Sequence, residues 1–284
     1  MDRKNGKLGL ILPSVLLYSI LIFGGLFIIF KESLGYIPKL GLNEISLKYY
    51  INVLDKTHFR SMVYAIAIAV VSSGFSMIIG AFIAYRMTRS QSIKSSMLFI
   101  RFGMVLPYLY MIFIVTLSFS QSGLLSRLCH NLGLITSTDV FPNLIYGFWG
   151  IVLTFTLKGI PFVALLTYNV MRQISSRFDD VALTLGGSKW QIFKTIYLPL
   201  TRDTIVWSGM VLYIYQIGAF EVPYLLNKIK YQSFAVKIYS SYLSPKISDI
   251  PQTMALSILL FFVGLITSAL YAIALRYLIK KVAE

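Results

Sequence analysis

Apolar residues follow one another in six long stretches, and the segments between these stretches carry most of the charges. A helix needs about 20 apolar residues to cross the hydrocarbon core of a bilayer. The sequence therefore predicts an all-α membrane protein of six spanning helices, with both chain ends on one side. The predicted spans one to four are 8–30, 61–84, 97–119 and 144–171, and the sixth is 253–279. The fifth starts near Thr204, and its apolar stretch continues only to Gly218.

The first stretch also has the basic start of a secretory signal, since Arg3, Lys4 and Lys7 precede it. A signal peptide has an apolar core of about 7–15 residues and a small-residue cleavage site. The stretch at 8–30 is longer, and no such site follows it. We interpret it as an uncleaved first span.

Composition and charge agree with a membrane protein. Hydrophobic residues make up 57% of the 284 residues and charged residues only 13%, against roughly 25% charged residues in soluble domains. This excludes a disordered chain and most soluble enzymes. The net charge is +15, and in membrane proteins Lys and Arg concentrate in cytoplasmic loops. With the N-terminus inside, the inner segments hold 14 of the 26 basic residues and the longer outer ones hold 10, which predicts that both termini are cytoplasmic.

The inner loop at 174–200 has its own helical pattern. Ser176 and Asp179 fit a capping box that starts a helix. Glycine at the end of a helix takes the left-handed conformation without penalty, so Gly186 and Gly187 are expected to stop it. One apolar stripe lies between these signals, at positions i, i+3, i+4 and i+7. Its residues are Phe178, Val181, Ala182 and Leu185.

A second short helix is predicted directly after the glycines. Ser188 and Gln191 form another capping box. The apolar residues of this helix are Ile192, Phe193 and Ile196. Pro199 is expected to mark its end and the entry to span five.

This helix–glycine–helix loop admits several interpretations. The apolar stripe either packs on the protein's own helix ends or docks a soluble partner. A DNA-binding helix-turn-helix is disfavoured, because the loop is tethered between two spans and Asp179 and Asp180 would face phosphates. The segment Gly186 to Lys189 lacks the spacing of a phosphate-binding loop, and no strand precedes it. We therefore expect no ATP to bind to this chain.

The loop resembles the EAA loop of bacterial ABC-importer permeases, whose pattern runs roughly E-A-A-x-x-x-G-A-S-x-W-x-x-F-x-x-I-x-L-P. Identical residues stand at most of the pattern's fixed positions. Asp180 replaces Glu, Val181 replaces the first Ala, and Gly187 replaces the Ala after glycine. The matching residues are Gly186, Ser188, Trp190, Phe193, Ile196, Leu198 and Pro199.

Two further segments extend this resemblance over about residues 60–280. The stretch from Lys158 to Phe162 resembles the family's segment before the loop, and Gly218 to Leu226 is similar to the end of span five in spermidine/putrescine permeases. The resemblance implies a type I importer fold in the bacterial cell membrane, with residues 1–60 holding the first span and an outer loop and 61–284 forming the permease core.

The resemblance also implies partners. They are two ATPase subunits, which would bind ATP and Mg, an extracytoplasmic solute-binding protein, and a second permease chain. The second chain is either a copy of this one or a similar but different chain, and the resemblance to the spermidine/putrescine branch favours a different chain. The EAA loop would seat its short helix in a groove on the ATPase and so act as the coupling helix.

Polar residues inside the predicted spans indicate a translocation pathway, because an intramembrane charge usually faces a cavity. Lys158 lies midway along span four, beside Pro161 and Phe162. Its alternatives are snorkelling, pairing with a carbonyl, or lining the pathway. In span five the predicted pathway residues are Tyr215, Gln216, Glu221 and the helix-breaking Pro223.

A carboxylate among aromatic residues suits a cationic solute such as a polyamine, but Glu221 could equally form a structural pair with Lys158. Aminophosphonates, thiamine and ferric iron remain open as other solutes of similar permeases. A secondary carrier or channel is the alternative function, although it would need no docking loop. Cys129 and His130 lack a second pair of metal ligands, so we expect neither a metal site nor catalytic residues.

Overall fold

The computed structural model describes residues 3–89, 93–174, 177–226, 232–244, 246 and 249–283. These residues are almost entirely helical, and their one β feature is an isolated bridge between Ile37 and Leu42. The helices are α1 (Arg3–Ser33), α2 (Lys48–Val53), α3 (Lys56–Thr88), α4 (Ile93–Val105), α5 (Tyr108–Phe119), α6 (Leu124–Asn131), α7 (Phe148–Met171), α8 (Arg177–Thr184), α9 (Lys189–Ile192), a π-helical segment (Phe193–Tyr197), α10 (Leu198–Gly218), α11 (Glu221–Leu226), α12 (Phe234–Tyr242) and α13 (Ile250–Ala283).

The chain forms two compact units. One consists of residues 1–59 and 237–263, and the other of residues 60–236 and 264–284. In the first unit, the Ser33 hydroxyl donates to the Phe30 carbonyl and lies 2.6 Å from the Tyr50 hydroxyl. The C-terminal end of α1 therefore contacts α2. The second unit contains both regions that the sequence predicts to be functional.

Small residues allow α3 and α7 to approach closely in the second unit. A Cβ atom at Gly80 would lie 2.7 Å from Cβ of Val163, and one at Gly159 would clash with the Ser76 hydroxyl. The buried serines of α3 donate to the carbonyls four residues earlier, Ser72 to Ile68 at 2.6 Å and Ser76 to Ser72 at 2.8 Å. Their polar groups are thereby satisfied, as a membrane interior requires.

Five described segments are long and apolar enough to cross a membrane. They are Leu12–Ser33, Lys56–Thr88, Tyr108–Asn131, Phe148–Met171 and Ile250–Ile279. Four of them contain or overlap the predicted first, second, fourth and sixth spans. The protein is therefore a multi-pass, all-helical membrane protein.

The third predicted span is wrong as a single helix over 97–119. The structure divides this stretch into α4 and α5, because Pro107 has no backbone N–H to continue α4 and instead caps the start of α5 with an extended backbone, ψ 155°. The Leu106 amide still bonds to the Phe102 carbonyl at 3.2 Å, so the break falls just before the proline.

The predicted ends around span five also need correction. Pro199 does not end the second loop helix, since it lies in the first turn of α10 and the backbone runs helically from Lys189 to Gly218. A proline cannot donate to the carbonyl four residues earlier, and the wider π turn at Phe193–Tyr197 accommodates this loss. Pro223 does not break the span either. The break falls at Ala219 and Phe220, and Pro223 lies in the first turn of α11, where its missing N–H is not needed.

Candidate functional site

The loop at 174–200 folds as the sequence predicts from Arg177 to Gln191; the Ser176 part of the first capping box lies outside the described residues. Helix α8 ends in a Schellman motif. Gly186 has φ +80°, the Gly187 amide donates to the Ala182 carbonyl at 2.9 Å, and the Gly186 amide donates to the Leu183 carbonyl at 3.0 Å. Ser188 and Gln191 then form the predicted reciprocal capping box of α9.

The apolar stripe of α8 is largely uncovered. Phe178 is 54% exposed, Val181 60% and Leu185 82%. Only Ala182 of the stripe packs on the protein's own core. Trp190 is also exposed, whereas Phe193 is buried in that core together with Tyr85 and Tyr197. The self-packing interpretation of the stripe therefore accounts for one of its four residues.

Asp179 ties the uncovered helix to α3. Its Oδ1 lies 2.7 Å from Nη2 of Arg89, with both side chains mostly buried, and its Oδ2 accepts a hydrogen bond of 3.1 Å from the Tyr197 hydroxyl. Burial, and then the neighbouring Asp179 carboxylate, raises the pKa of Tyr197 to about 12, so this hydroxyl stays protonated and donates. The exposed Asp180 lies beside Asp179 in the first turn, where acidic side chains favour the helix dipole.

Two aromatic rings complete this clamp, which we define as Tyr85, Arg89, Asp179 and Tyr197. The Arg89 guanidinium lies over Tyr85 at 4.8 Å, and the Tyr85 hydroxyl donates to the Lys189 carbonyl at 2.8 Å. Sequence reasoning missed Tyr85 and Arg89. A basic residue just after predicted span two was the available signal, but nothing in the local pattern pairs it with Asp179.

The second predicted site centres on the break in span three. Nζ of Lys158 donates to three carbonyl oxygens, those of Gly103 at 3.1 Å, Met104 at 2.8 Å and Leu106 at 2.5 Å. These are the last carbonyls before the break, which have no helical partner. Within the described residues no ion pair connects Lys158 to Glu221. The ammonium is thus engaged by backbone.

The two helix breaks lie near each other. Tyr108, at the start of α5, stacks on Tyr215 near the end of α10 with ring centres 5.0 Å apart. A cavity of about 340 Å³ lies between the start of α5 and the segment from Phe220 to Leu225. Its lining includes Pro107, Tyr108, Ile112, Phe220, Glu221 and Tyr224. Within the described part of the chain the Glu221 carboxylate makes no hydrogen bond or ion pair, so its charge is available to a ligand.

The other predicted pathway residues lie apart from this cavity. Gln216 is buried and its side-chain amide lies 2.6 Å from the Ser72 hydroxyl. Pro161 is buried in α7, and Phe162 packs on a cluster around Met77. Pro223 is buried in α11. The sequence did not single out Tyr108, Phe220 or Tyr224, although Pro107 inside a predicted span was a signal for a break.

The family described as binding-protein-dependent transport system inner membrane component matches residues 76–284. The chain belongs to this family. It is therefore a membrane permease subunit of an ABC importer and not an enzyme. The prediction from the loop is confirmed at this level, and the alternative of a stand-alone secondary carrier is set aside.

Relatives of this permease differ in what they transport. It is 24% identical over 244 residues to the spermidine/putrescine transport system permease protein PotB of Salmonella typhimurium, covering 84% of this chain and 82% of that one. It is 26% identical over 168 residues to the molybdenum transport system permease protein ModB of Azotobacter vinelandii, covering 57% and 71%. The resemblance to the polyamine branch is thus supported, while the solute is left open.

A solved structure shares the fold of the permease. It is the crystal structure of a bacterial alginate ABC transporter in complex with an alginate pentasaccharide-bound periplasmic protein, with a TM-score of 0.71 and 17% identity over 95% of this chain and 93% of that one. At this identity the likeness concerns the fold alone.

Proposed function

We propose that the permease spans the membrane six times and that α8 is its coupling helix, seated in a groove of a partner ATPase subunit. Helix α10 is then the fifth span. Its first turns carry Arg202 and Asp203, and it is broken at Ala219 before α11. Broken helices at membrane depth are tolerated where they line a cavity.

The observation that carries the coupling proposal is the uncovered stripe of α8 on a helix that is itself held by the clamp. An exposed apolar face outside the spans marks a surface that a protein partner or the membrane covers, and we assign this one to the ATPase. The clamp and the capped turn fix the helix relative to α3 and α10, so a movement imposed on α8 reaches the spans. The partner ATPase supplies ATP and Mg, and this chain only transmits the movement.

Leu185 and Leu183 offer a matched test of this proposal. Both are exposed leucines in or next to α8, but only Leu185 belongs to the stripe. We expect Leu185→Asp to abolish recovery of the ATPase with the tagged permease from its native host in mild detergent. Leu183→Asp should retain it. Equal recovery with both variants would mean that the stripe is not the docking surface.

We further propose that the cavity at the two helix breaks belongs to the translocation pathway and receives a cationic solute, a polyamine first. The unpaired Glu221 carboxylate among Tyr108, Phe220 and Tyr224 supports this choice, because a carboxylate and ring faces both attract cations. A free carboxylate is poorly suited to an acidic polysaccharide. Aminophosphonates, thiamine and ferric iron stay as other solutes to be screened.

Glu221→Gln tests the charge while keeping the shape. Losing a charge-assisted hydrogen bond of about 1.5–3 kcal/mol should raise the KM for putrescine uptake by roughly tenfold or more. Glu221→Asp should retain part of the affinity, and ATPase recovery should be normal in both. Putrescine uptake with an unchanged KM in Glu221→Gln would remove the charge-recognition proposal and leave the coupling proposal standing.

The proposed assembly contains two permease chains, two ATPase subunits and an extracytoplasmic binding protein. The alginate transporter was solved with its periplasmic protein bound, which supports a binding-protein partner here. Escherichia coli K12 has two spermidine/putrescine transport system permease proteins that resemble this chain, PotB and PotC, which supports a second, similar permease rather than a copy of this one. Mass spectrometry of the tagged complex would identify the companion chain.

A further inference from the structure

A groove of about 920 Å³ opens near the clamp, where the end of α3, the middle of α4 and α7, and the start of α9 surround it. Its floor and walls are apolar and include Phe82, Phe99, Ile160 and Pro161. At its loop end stand Arg86, Lys189 and Trp190. We call the apolar part the slot of the groove and the end with Arg86 and Lys189 its mouth. Neither the coupling helix nor the proposed pathway explains why an apolar slot lies next to a basic mouth.

The depth of the groove matches one leaflet of a bilayer. The lining residue of α7 that is farthest from the loop, Ile160, lies eleven residues before Met171, where α7 ends on the side of the 174–200 loop. At a rise of about 1.5 Å per residue this distance is roughly 16 Å. The hydrocarbon core is about 30 Å thick. A single acyl chain entering at the mouth would therefore end near Ile160.

The charges at the mouth are free to bind a ligand. Arg86 and Lys189 are exposed, and within the described residues neither side chain makes a hydrogen bond or ion pair. The third cation of the groove, Arg89, is already paired with Asp179. The mouth thus keeps two unneutralised positive charges next to an apolar slot, and a basic pocket between helices at a membrane surface suits an anionic lipid headgroup.

We propose that this groove binds an anionic phospholipid of the leaflet on the side of the 174–200 loop. The phosphate lies between Arg86 and Lys189, and one acyl chain lies along Phe82, Phe99 and Ile160. Because Lys189 and Trp190 belong to the helix that follows the glycine turn, the bound lipid contacts the same segment that the clamp holds. The proposal depends on neither the solute nor the ATPase partner.

Trp190 provides a direct readout, because it is one of three tryptophans and lines the groove. The variant Trp149→Phe/Trp207→Phe leaves it as the sole tryptophan. This chain is placed in phosphatidylcholine nanodiscs that contain equal fractions of phosphatidylglycerol or phosphatidylcholine brominated high in the acyl chain. We expect brominated phosphatidylglycerol to quench Trp190 more strongly, with an association constant above that of phosphatidylcholine.

Arg86→Gln/Lys189→Gln should remove this preference. Each basic residue contributes about 1 kcal/mol toward an anionic lipid, so the association constant for phosphatidylglycerol should fall roughly 30-fold. Lys194→Gln is the matched control, since Lys194 lies in the following turn and does not line the groove. Both charge variants replace exposed or half-buried side chains and leave the core intact.

Three results would overturn the proposal. Equal quenching by the two brominated lipids would mean that the groove does not select an anionic headgroup. Displacement of the lipid by inorganic phosphate alone would assign the mouth to a free anion. Loss of lipid quenching in the complex copurified from the host, with quenching in the isolated chain, would mean that a protein partner occupies the groove.

Discussion

At the scale of single residues, two charged side chains, those of Lys158 and Asp179, each connect two helices. Lys158 engages the last carbonyls of α4, and Asp179 engages Arg89 of α3. Both contacts join residues that are far apart in the sequence. A lone sequence shows the charge but not its partner. It offered pairing with a carbonyl as one alternative for Lys158, which the structure has, but could name neither these carbonyls nor Arg89 as the partner of Asp179.

Lys158 can be compared with Arg101, an exposed cation on α4 that has no hydrogen bond or ion pair within the described residues. We expect Lys158→Met to lower the free energy of unfolding by roughly 2–3 kcal/mol, because three carbonyls lose a charged donor. Chemical unfolding in detergent, followed by tryptophan fluorescence, measures this. Arg101→Met should change it by less than about 0.5 kcal/mol. Equal effects of the two variants would show that the carbonyl contacts do not stabilise the break.

At the scale of elements, the sequence predicted best where the signals are local. The stop of α8 at Gly186 and the cap of α9 at Ser188 follow from residues within one turn of each other, and the structure has both. The break between α4 and α5 was missed, because a proline in an apolar stretch is compatible with a kinked span. The break at Leu106 and Pro107 is held by Lys158 from α7, which no local pattern reveals.

The glycine turn permits a prediction about coupling. Gly186 has φ +80°, and a Cβ atom there would meet nothing within 4 Å. A side chain at this position would therefore not clash with its surroundings, and its energetic cost comes only from the left-handed backbone conformation. The left-handed conformation costs roughly 1–2 kcal/mol for most residues but less for Asn. Gly186→Leu should therefore uncouple transport from ATP hydrolysis, with uptake reduced roughly fivefold or more while the complex still hydrolyses ATP.

Gly186→Asn is the matched variant for this turn, since asparagine adopts positive φ more readily. We expect it to keep most of the uptake of the unaltered permease, measured together with the ATPase rate in proteoliposomes. Normal ATPase docking and normal uptake in Gly186→Leu would contradict the view that a rigid turn transmits the movement.

At the scale of the whole molecule, the apolar stretches predicted the presence and order of the candidate spans better than their ends, and the count of six stays a prediction. Helices α3 and α13 run beyond the predicted spans 61–84 and 253–279, because polar turns at helix ends carry no apolar signal. Orientation rests on loop charge alone, and the 14 inner basic residues exceed the 10 outer ones only moderately. The proposed side of the α8 loop therefore needs a test of its own.

A pair of single-cysteine variants decides the orientation, because Cys129 is the only cysteine. In the Cys129→Ser background we place a cysteine at Asp139, in the predicted outer loop, or at Thr184 on α8. Both positions are exposed. A membrane-impermeant maleimide should label Asp139→Cys in intact spheroplasts and Thr184→Cys only after permeabilisation. The reverse pattern would place α8 outside, where no ATPase could dock on it, and the coupling proposal would fail even if the family assignment held.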